Sequence, residues 1–361
     1  MSQIAISVPV GAYHPLIEDC LQSLIIQTPA PEVAFLDASG DPRVKAVADK
    51  YADHLAYRRH GPDSGQSDAI LEGWENTNAP ILGWLNADDA LYPGAMEVAI
   101  AAFDRSASGD RPDVVYGHSM IIDDDFAFTG FHWAVEPPSD RLLHADIISQ
   151  PSCFFRRELH ERVGKLNKDL HYTMDWDLWV RFWQANARFE FIDQTFSKVL
   201  WTEEAKTGGF GKGRRTELDR IINQNANAST KLKSKVGFAL HHAFEYMMPK
   251  NVARQLRRTL APSQTRIHGL GRNGEIDQRA DIPLVHYIPD GVRSLQLQFN
   301  QPANNIDIDL TFRHQVDRKG AQVGVQFETP WQAAHHLQLQ LTNLQGSGAL
   351  LERIFLHSGD V

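Results

Sequence analysis

Two adjacent carboxylates, Asp88 and Asp89, follow the apolar run Ile81-Leu82-Gly83-Trp84-Leu85 by way of Asn86-Ala87. Paired acids at the end of a strand suit a hard divalent cation, Mn2+ or Mg2+, and such an ion neutralises charge developing on a departing diphosphate. Asp37 ends a second apolar run that includes Val33 and Phe35. Asp63 and Asp68 lie in a glycine-containing loop that leads into a helical pattern, and Asp175 stands before another. Taken singly, each acid also suits a helix cap or a solvated turn. Their shared topological position argues for one crevice, because ligands of open α/β sheets gather beyond the carboxyl ends of the strands.

The elements needed to bring these acids together are legible in the first 120 residues, where short β-type runs alternate with helical patterns. That alternation predicts a mostly parallel sheet covered by helices. Ile4, Ile6 and Val8 open a strand that turns at Pro9, and Leu16 to Ile25 recur at helical spacing. Strands near Val33–Asp37, Leu55–Arg59 and Ile81–Leu85 follow, with helices expected over Val44–Tyr51 and Ser67–Asn76. A strand near Val114–Tyr116, a hairpin, the loop Ser149-Gln150-Pro151-Ser152 and a helix through Asp177–Phe182 continue the pattern to Trp201. Asp123-Asp124-Asp125, a rival acidic cluster, reads as the hairpin turn.

A formal net charge of -9 excludes nucleic acid as a bulk electrostatic partner, which would require clustered Lys and Arg. Hydrophobic residues at 42% and charged residues at 22% describe an ordinary globular chain. The two cysteines, Cys20 and Cys153, imply neither a disulfide framework nor a zinc cluster, and a cytoplasmic location fits them. The first nine residues lack the basic and apolar regions of a signal peptide, and no run reaches the roughly 18 apolar residues of a membrane-spanning helix.

Six segments in order resemble the inverting glycosyltransferases of family 2, of GT-A fold, over about residues 3–205. They are Ile6-Ser7-Val8-Pro9-Val10, Leu36-Asp37-Ala38-Ser39, Gly61 to Ile70, Gly83 to Asp89, Gln150-Pro151-Ser152 and Met174 to Trp179. The resemblance implies a nucleoside diphosphate sugar donor, with a UDP-sugar expected. It implies that Pro9 and Val10 border the nucleotide, that Asp37 reads the base and that Asp68 approaches the nucleotide or its sugar. Asp89 is expected as the metal ligand, with Asp88 facing the ribose or completing the metal shell, and Asp175 as the general base that activates an acceptor hydroxyl. Gln150 and Trp176 are acceptor-side candidates, although turn chemistry and core packing also account for them. Relatives often carry a His-containing segment after the catalytic helix; residues 200–207 have none, and Lys206 is the basic residue there.

The rest of the chain changes character. Four glycines within 207–213 read as a loop. Residues 231–258 carry seven Lys or Arg against the single acid Glu245, a basic helical connector able either to pack between domains or to rest on an anionic membrane surface bearing a lipid-linked acceptor. Beyond Pro262, runs such as Leu295-Gln296-Leu297 and Leu337-Gln338-Leu339 alternate at the strand period and predict a β-sandwich. The expected organisation is a GT-A-like α/β domain over 1–230, a connector over 231–261 and a small all-β domain over 262–361. Trp331 and Tyr287 are weighed as sugar-stacking residues against core packing, and His335-His336 is set aside as a metal site because strand neighbours face opposite ways. Polysaccharide or glycoconjugate synthesis is the expected setting, and the rival reading is a non-catalytic carbohydrate-binding or scaffold protein that keeps the nucleotide-sugar fold.

Overall fold

The computed structural model describes residues 2–105, 111–132, 140–143, 145–201, 212–229, 231–233, 236–237, 252, 266–287, 291–332, 336–344, 346 and 348–359. In chain order the N-terminal elements are β1 (Ile4–Val10), α1 (Ile17–Ile25), β2 (Glu32–Asp37), α2 (Pro42–Lys50), β3 (Leu55–His60), α3 (Gln66–Glu75), β4 (Ile81–Trp84), β5 (Ala90–Leu91) and α4 (Ala95–Asp104). Then come β6 (Val114–Ile122), β7 (Phe128–Phe131), β8 (Cys153–Arg156), α5 (Arg157–Val163), α6 (Met174–Gln184), β9 (Phe189–Leu200) and α7 (Lys212–Asn225).

β1 is buried along its whole length because parallel neighbours flank it on both edges, β2 on one and β4 on the other. Its continuous apolar run is the signature of such a strand. β3 extends the parallel set beyond β2, while β8 joins β4 to β6 in antiparallel fashion. The result is a mixed GT-A-like sheet whose parallel ends carry the acids. α3 packs so closely on this sheet that a Cβ on Gly73 would lie 2.3 Å from the Ser7 hydroxyl. α3 also begins on Gly65 at φ 119°, a conformation that favours glycine.

β9 was not foreseen. Its 12 residues run parallel to β6 and pair antiparallel with β5, the two-residue strand that directly follows Asp89. Phe189-Glu190-Phe191 and Gln194-Thr195-Phe196 mix polar and apolar residues without strict alternation, so the period-2 signal is blurred. Asp123-Asp124-Asp125 does form the β6–β7 turn, and Arg353 pairs with Asp123 and Asp125 at 2.6 and 2.7 Å, so the turn is tied down instead of simply solvated.

The C-terminal strands are β10 (Arg266–Ile267), β11 (Leu270–Gly271), β12 (Arg279–Leu284), β13 (Val292–Phe299), β14 (Ile306–Leu310), β15 (His314–Lys319), β16 (Gln322–Trp331), β17 (Leu337–Asn343) and β18 (Leu351–His357). β15-β16-β13-β18 form one antiparallel layer and β12-β17-β14 another, with Leu295, Leu297, Leu339 and Leu341 fully buried among the inward residues. β18 meets β7 at Ile354 and Phe128, so the first layer continues into the N-terminal sheet. Trp331 and Tyr287 are each 2% exposed, which makes them core residues and removes them as sugar-stacking surfaces. Residues 202–211, most of the 231–258 connector and His335 lie outside the described residues, and with them the glycine-rich loop, Lys206 and the membrane-contact expectation. Among the described residues no helix is long and apolar enough to cross a membrane.

Candidate active site

The N-terminal turn of α3 links the segments that carry the separate acids. Gln66 donates from its amide to the Asn86 side-chain oxygen at 2.8 Å, which ties α3 to the loop that carries Asp88 and Asp89. One residue later, the Ser67 hydroxyl lies 3.0 Å from the Met174 sulfur, beside Asp175 at the start of α6. The loop leading into α3 returns to Asp37, whose backbone carbonyl accepts from Gly61 N–H at 2.9 Å. One helix start thus joins the ends of β2 and β4 to the start of α6.

Asp37 is buried at the end of β2. Its Oδ1 accepts from Ser39 N–H at 2.8 Å and from the Ser39 hydroxyl at 2.5 Å, and its Oδ2 lies 2.9 Å from His60 Nδ1. His60 is the more exposed partner and was missed, since a single His at the end of an amphipathic strand carries no sequence signal. Pro9 and Val10 are buried, paired with Leu36 and Asp37, and the Val10 carbonyl accepts from Ala38 N–H. Asp68 ion-pairs with Lys168 and accepts from Ser64 N–H at 3.3 Å, and the Lys168 ammonium beside it holds its carboxyl below the usual range.

The two adjacent acids differ sharply. Asp89 is 4% exposed; its Oδ1 accepts from Leu200 N–H at 3.2 Å and its Oδ2 from the Asn86 amide at 3.3 Å. Burial, reinforced by the charge of Asp88, pushes its carboxyl well above the ordinary range. Asp88 is half-buried and so is the more accessible member of the pair. Both Asp89 oxygens accept bonds that hold the loop, whereas Asp88 is the acid of the pair open to a ligand. Ions of the Mg2+ class are held by one or two carboxylates together with substrate phosphates. A half-exposed Asp88 fits that donor set, and among the described residues no group of three or more His, Cys, Asp or Glu side chains forms an all-protein cage.

Asp175 occupies the first turn of α6, half-buried, with Oδ1 accepting from Trp176 N–H at 2.8 Å. Burial pushes its carboxyl up to about 6, against the lowering effects of that bond and of the Arg214 charge. Asp146, also absent from the sequence expectations, sits near enough to repel it; Asp146 opens to solvent on one side, and confinement by protein on the others raises its own carboxyl. α6 is anchored through its apolar face, with Trp179 stacked on Trp84 at 5.8 Å and edge-on to Phe155 at 5.7 Å. Each such pair contributes about 0.5–1.5 kcal/mol beyond simple burial. Glu217 of α7 holds the entry to α6, accepting from the N–H groups of His171, Tyr172 and Thr173 at 2.9, 2.9 and 3.2 Å and from the Thr173 hydroxyl.

The acceptor-side expectation for Trp176 fails. Its ring is fully buried and its indole N–H donates to the Leu142 carbonyl at 2.7 Å, so it offers no face to a sugar. Gln150 is 8% exposed and its amide donates to the Trp84 carbonyl at 2.7 Å, which fastens the 149–152 loop to the end of β4. Asp177 pairs with Arg181 at 2.9 Å and has a structural role.

Residues 6–164 match the model of the family described as "Glycosyl transferase family 2". An uncharacterized glycosyltransferase of Rickettsia typhi is 22% identical over 198 residues, covering 51% of this chain and 59% of that protein. Another, of Rickettsia bellii, is 24% identical over 331 residues, covering 84% of this chain and 45% of that protein. Among solved structures, residues 1–349 of S. aureus TarS, in complex with UDP-GlcNAc, align with a TM-score of 0.51 at 16% identity, covering 73% of this chain and 77% of that one. This likeness supports the GT-A-like fold.

Proposed function

We propose that the protein transfers a sugar, with inversion, from a nucleoside diphosphate sugar to a hydroxyl of a glycan or lipid-linked acceptor, a reading supported by the match of residues 6–164 to the family 2 glycosyltransferase model. The observation that supports this reading is the α3 N-terminal turn, which bonds Asn86 of the loop carrying Asp88 and Asp89 and Met174 at the start of α6, next to the proposed base Asp175. A UDP-sugar is the proposed donor, since the S. aureus fold neighbour is in complex with UDP-GlcNAc.

In this reading the end of β2 receives the base, with Asp37 held in place by Ser39 and His60. Asp88 would hold a divalent ion, which when bound supplies positive charge to the diphosphate as it leaves. Asp89 holds the loop through Leu200 and Asn86. Asp175 takes the acceptor proton as the hydroxyl attacks the anomeric carbon, and a single displacement inverts that carbon. A carboxyl raised to about 6 remains ionised at neutral pH while being a stronger base than an exposed aspartate.

The test is product formation from a panel of UDP-sugars with Mn2+, comparing the unaltered protein with Asp175→Asn. Transfer that disappears in the variant while UDP binding persists supports the assignment; equal transfer by both overturns it.

A further inference from the structure

The loop after the acidic pair is fastened from two directions. On one side, β5 pairs with β9 through Ala90 with Lys198 and Leu91 with Ser197, and Leu200 N–H donates to Asp89. On the other, the C-terminal part of the chain reaches across: the Tyr287 hydroxyl donates to the Leu91 carbonyl, two residues beyond Asp89. Tyr92 answers in the opposite sense, donating from its hydroxyl to the Pro283 carbonyl at 2.8 Å. Both tyrosines are 2% exposed, so these bonds lie in a dry interface where an unmade partner is costly.

Lys198 completes the arrangement. Its side chain is 8% exposed, with the ammonium 3.6 Å from Asp19 Oδ2, 5.7 Å from the centroid of the Tyr287 ring and close enough to Asp89 to favour its charged form. A buried cation thus sits among Asp19, Asp89 and the Tyr287 ring. One hydrophobic cluster runs from Tyr92, Leu91 and Ala90 into Tyr287, Val285 and Leu284 without a break.

We infer that Tyr287 is a positioning residue for the Asp88–Asp89 loop, so that the C-terminal β region works as a fixed brace of the donor site and not only as an appended module. The brace acts through the backbone of β5. Tyr287 holds the Leu91 carbonyl and Leu200 holds Asp89, while Asn86 on the other side is bonded to Gln66 and to Asp89, so the chain flanking Asp88 has little freedom and Asp88 is presented in one orientation. The inference rests on the proposed donor reading.

The experiment measures UDP affinity by calorimetry, with and without Mn2+, and the thermal midpoint of the full chain for three proteins: unaltered, Tyr287→Phe and Arg353→Met. Arg353 also joins the C-terminal strands to the N-terminal sheet, through Asp123 and Asp125 at the β6–β7 turn and not through β5. Both variants are expected to lower the midpoint. Only Tyr287→Phe is expected to weaken Mn2+-dependent UDP binding, by about tenfold, the effect of one well-placed buried hydrogen bond, with Mn2+-free binding unchanged. Equal Mn2+-dependent affinity in Tyr287→Phe and the unaltered protein overturns the inference alone, as does an equal loss in Arg353→Met. Failure of the unaltered protein to bind UDP under either condition overturns the donor reading and this inference with it.

Discussion

Asp89 and Asp175 are both aspartates whose carboxyls are raised by burial, yet they lie in opposite kinds of surroundings. Asp89 is enclosed, with each oxygen accepting from a neighbour that belongs to the fold. Asp175 is half-buried at the start of a helix, with one oxygen on the Trp176 N–H and the charges of Arg214 and Glu217 acting on it in opposite directions. The lesson is that a raised carboxyl marks confinement, and that only the bonding of its oxygens separates an acid that shapes a loop from one that can move a proton.

The comparison breaks most visibly at Asp175. Replacing Asp175 with Asn is expected to cost about 10²–10⁴-fold in transfer rate, the usual weight of a general base, while leaving UDP affinity unchanged. Steady-state transfer paired with calorimetry checks both halves. The same substitution is expected to raise the melting temperature at pH 7–8. Asp175 binds its proton more tightly folded than unfolded, so its contribution to stability is present at low pH and is lost as pH rises through about 6.

The adjacent acids should then separate by readout. Asp88→Asn is expected to reduce Mn2+-dependent UDP binding by at least about 10–100-fold, the range seen when even an outer support of a metal ligand is lost. Asp89→Asn instead turns an acceptor into a donor facing Leu200 N–H or the Asn86 amide, and should cost about 1–3 kcal/mol of stability in a denaturant titration. If Asp89→Asn abolishes metal dependence with stability intact, the roles of the pair are reversed.

A smaller effect is expected in the pH profile. Transfer should rise as pH passes upward through about 6, where Asp175 loses its proton, and then level off; a profile that rises through the exposed-aspartate range near 4 would remove Asp175 as the titrating base. Smallest is Glu217→Ala, which releases three backbone N–H groups ahead of α6 and should lower kcat several-fold with UDP affinity unchanged. An effect confined to UDP affinity would place Glu217 on the donor side instead.

Much of the donor half was legible in the sequence because it is built from local signals. β1 and β2 are short apolar runs that end at Val10 and Asp37, β4 is another that is soon followed by Asp88–Asp89, and the glycine before α3 marks a turn. The alternating strands of the C-terminal region were legible for the same reason. What the sequence hid was long-range. That Asp89 is enclosed depends on Leu200, more than a hundred residues away on a strand with a blurred pattern. The burial of Trp176 depends on Leu142, and the neighbourhood of Asp175 depends on Asp146 and on Arg214 and Glu217 of α7, from two other segments. The bond between Tyr287 and Leu91 of β5 crosses nearly two hundred positions, a separation at which residue type alone carries no information.

In the proposed reading, one crevice around the start of α3 holds both the donor diphosphate and the general base. A crystal structure with UDP and Mn2+ tests it most directly. The expected result is the nucleobase beside Asp37, an ion held by Asp88, and the Asp175 carboxylate on the facing wall with room for a sugar between. A nucleotide seated away from the α3 N-terminal turn, or an ion bound without Asp88, would contradict it.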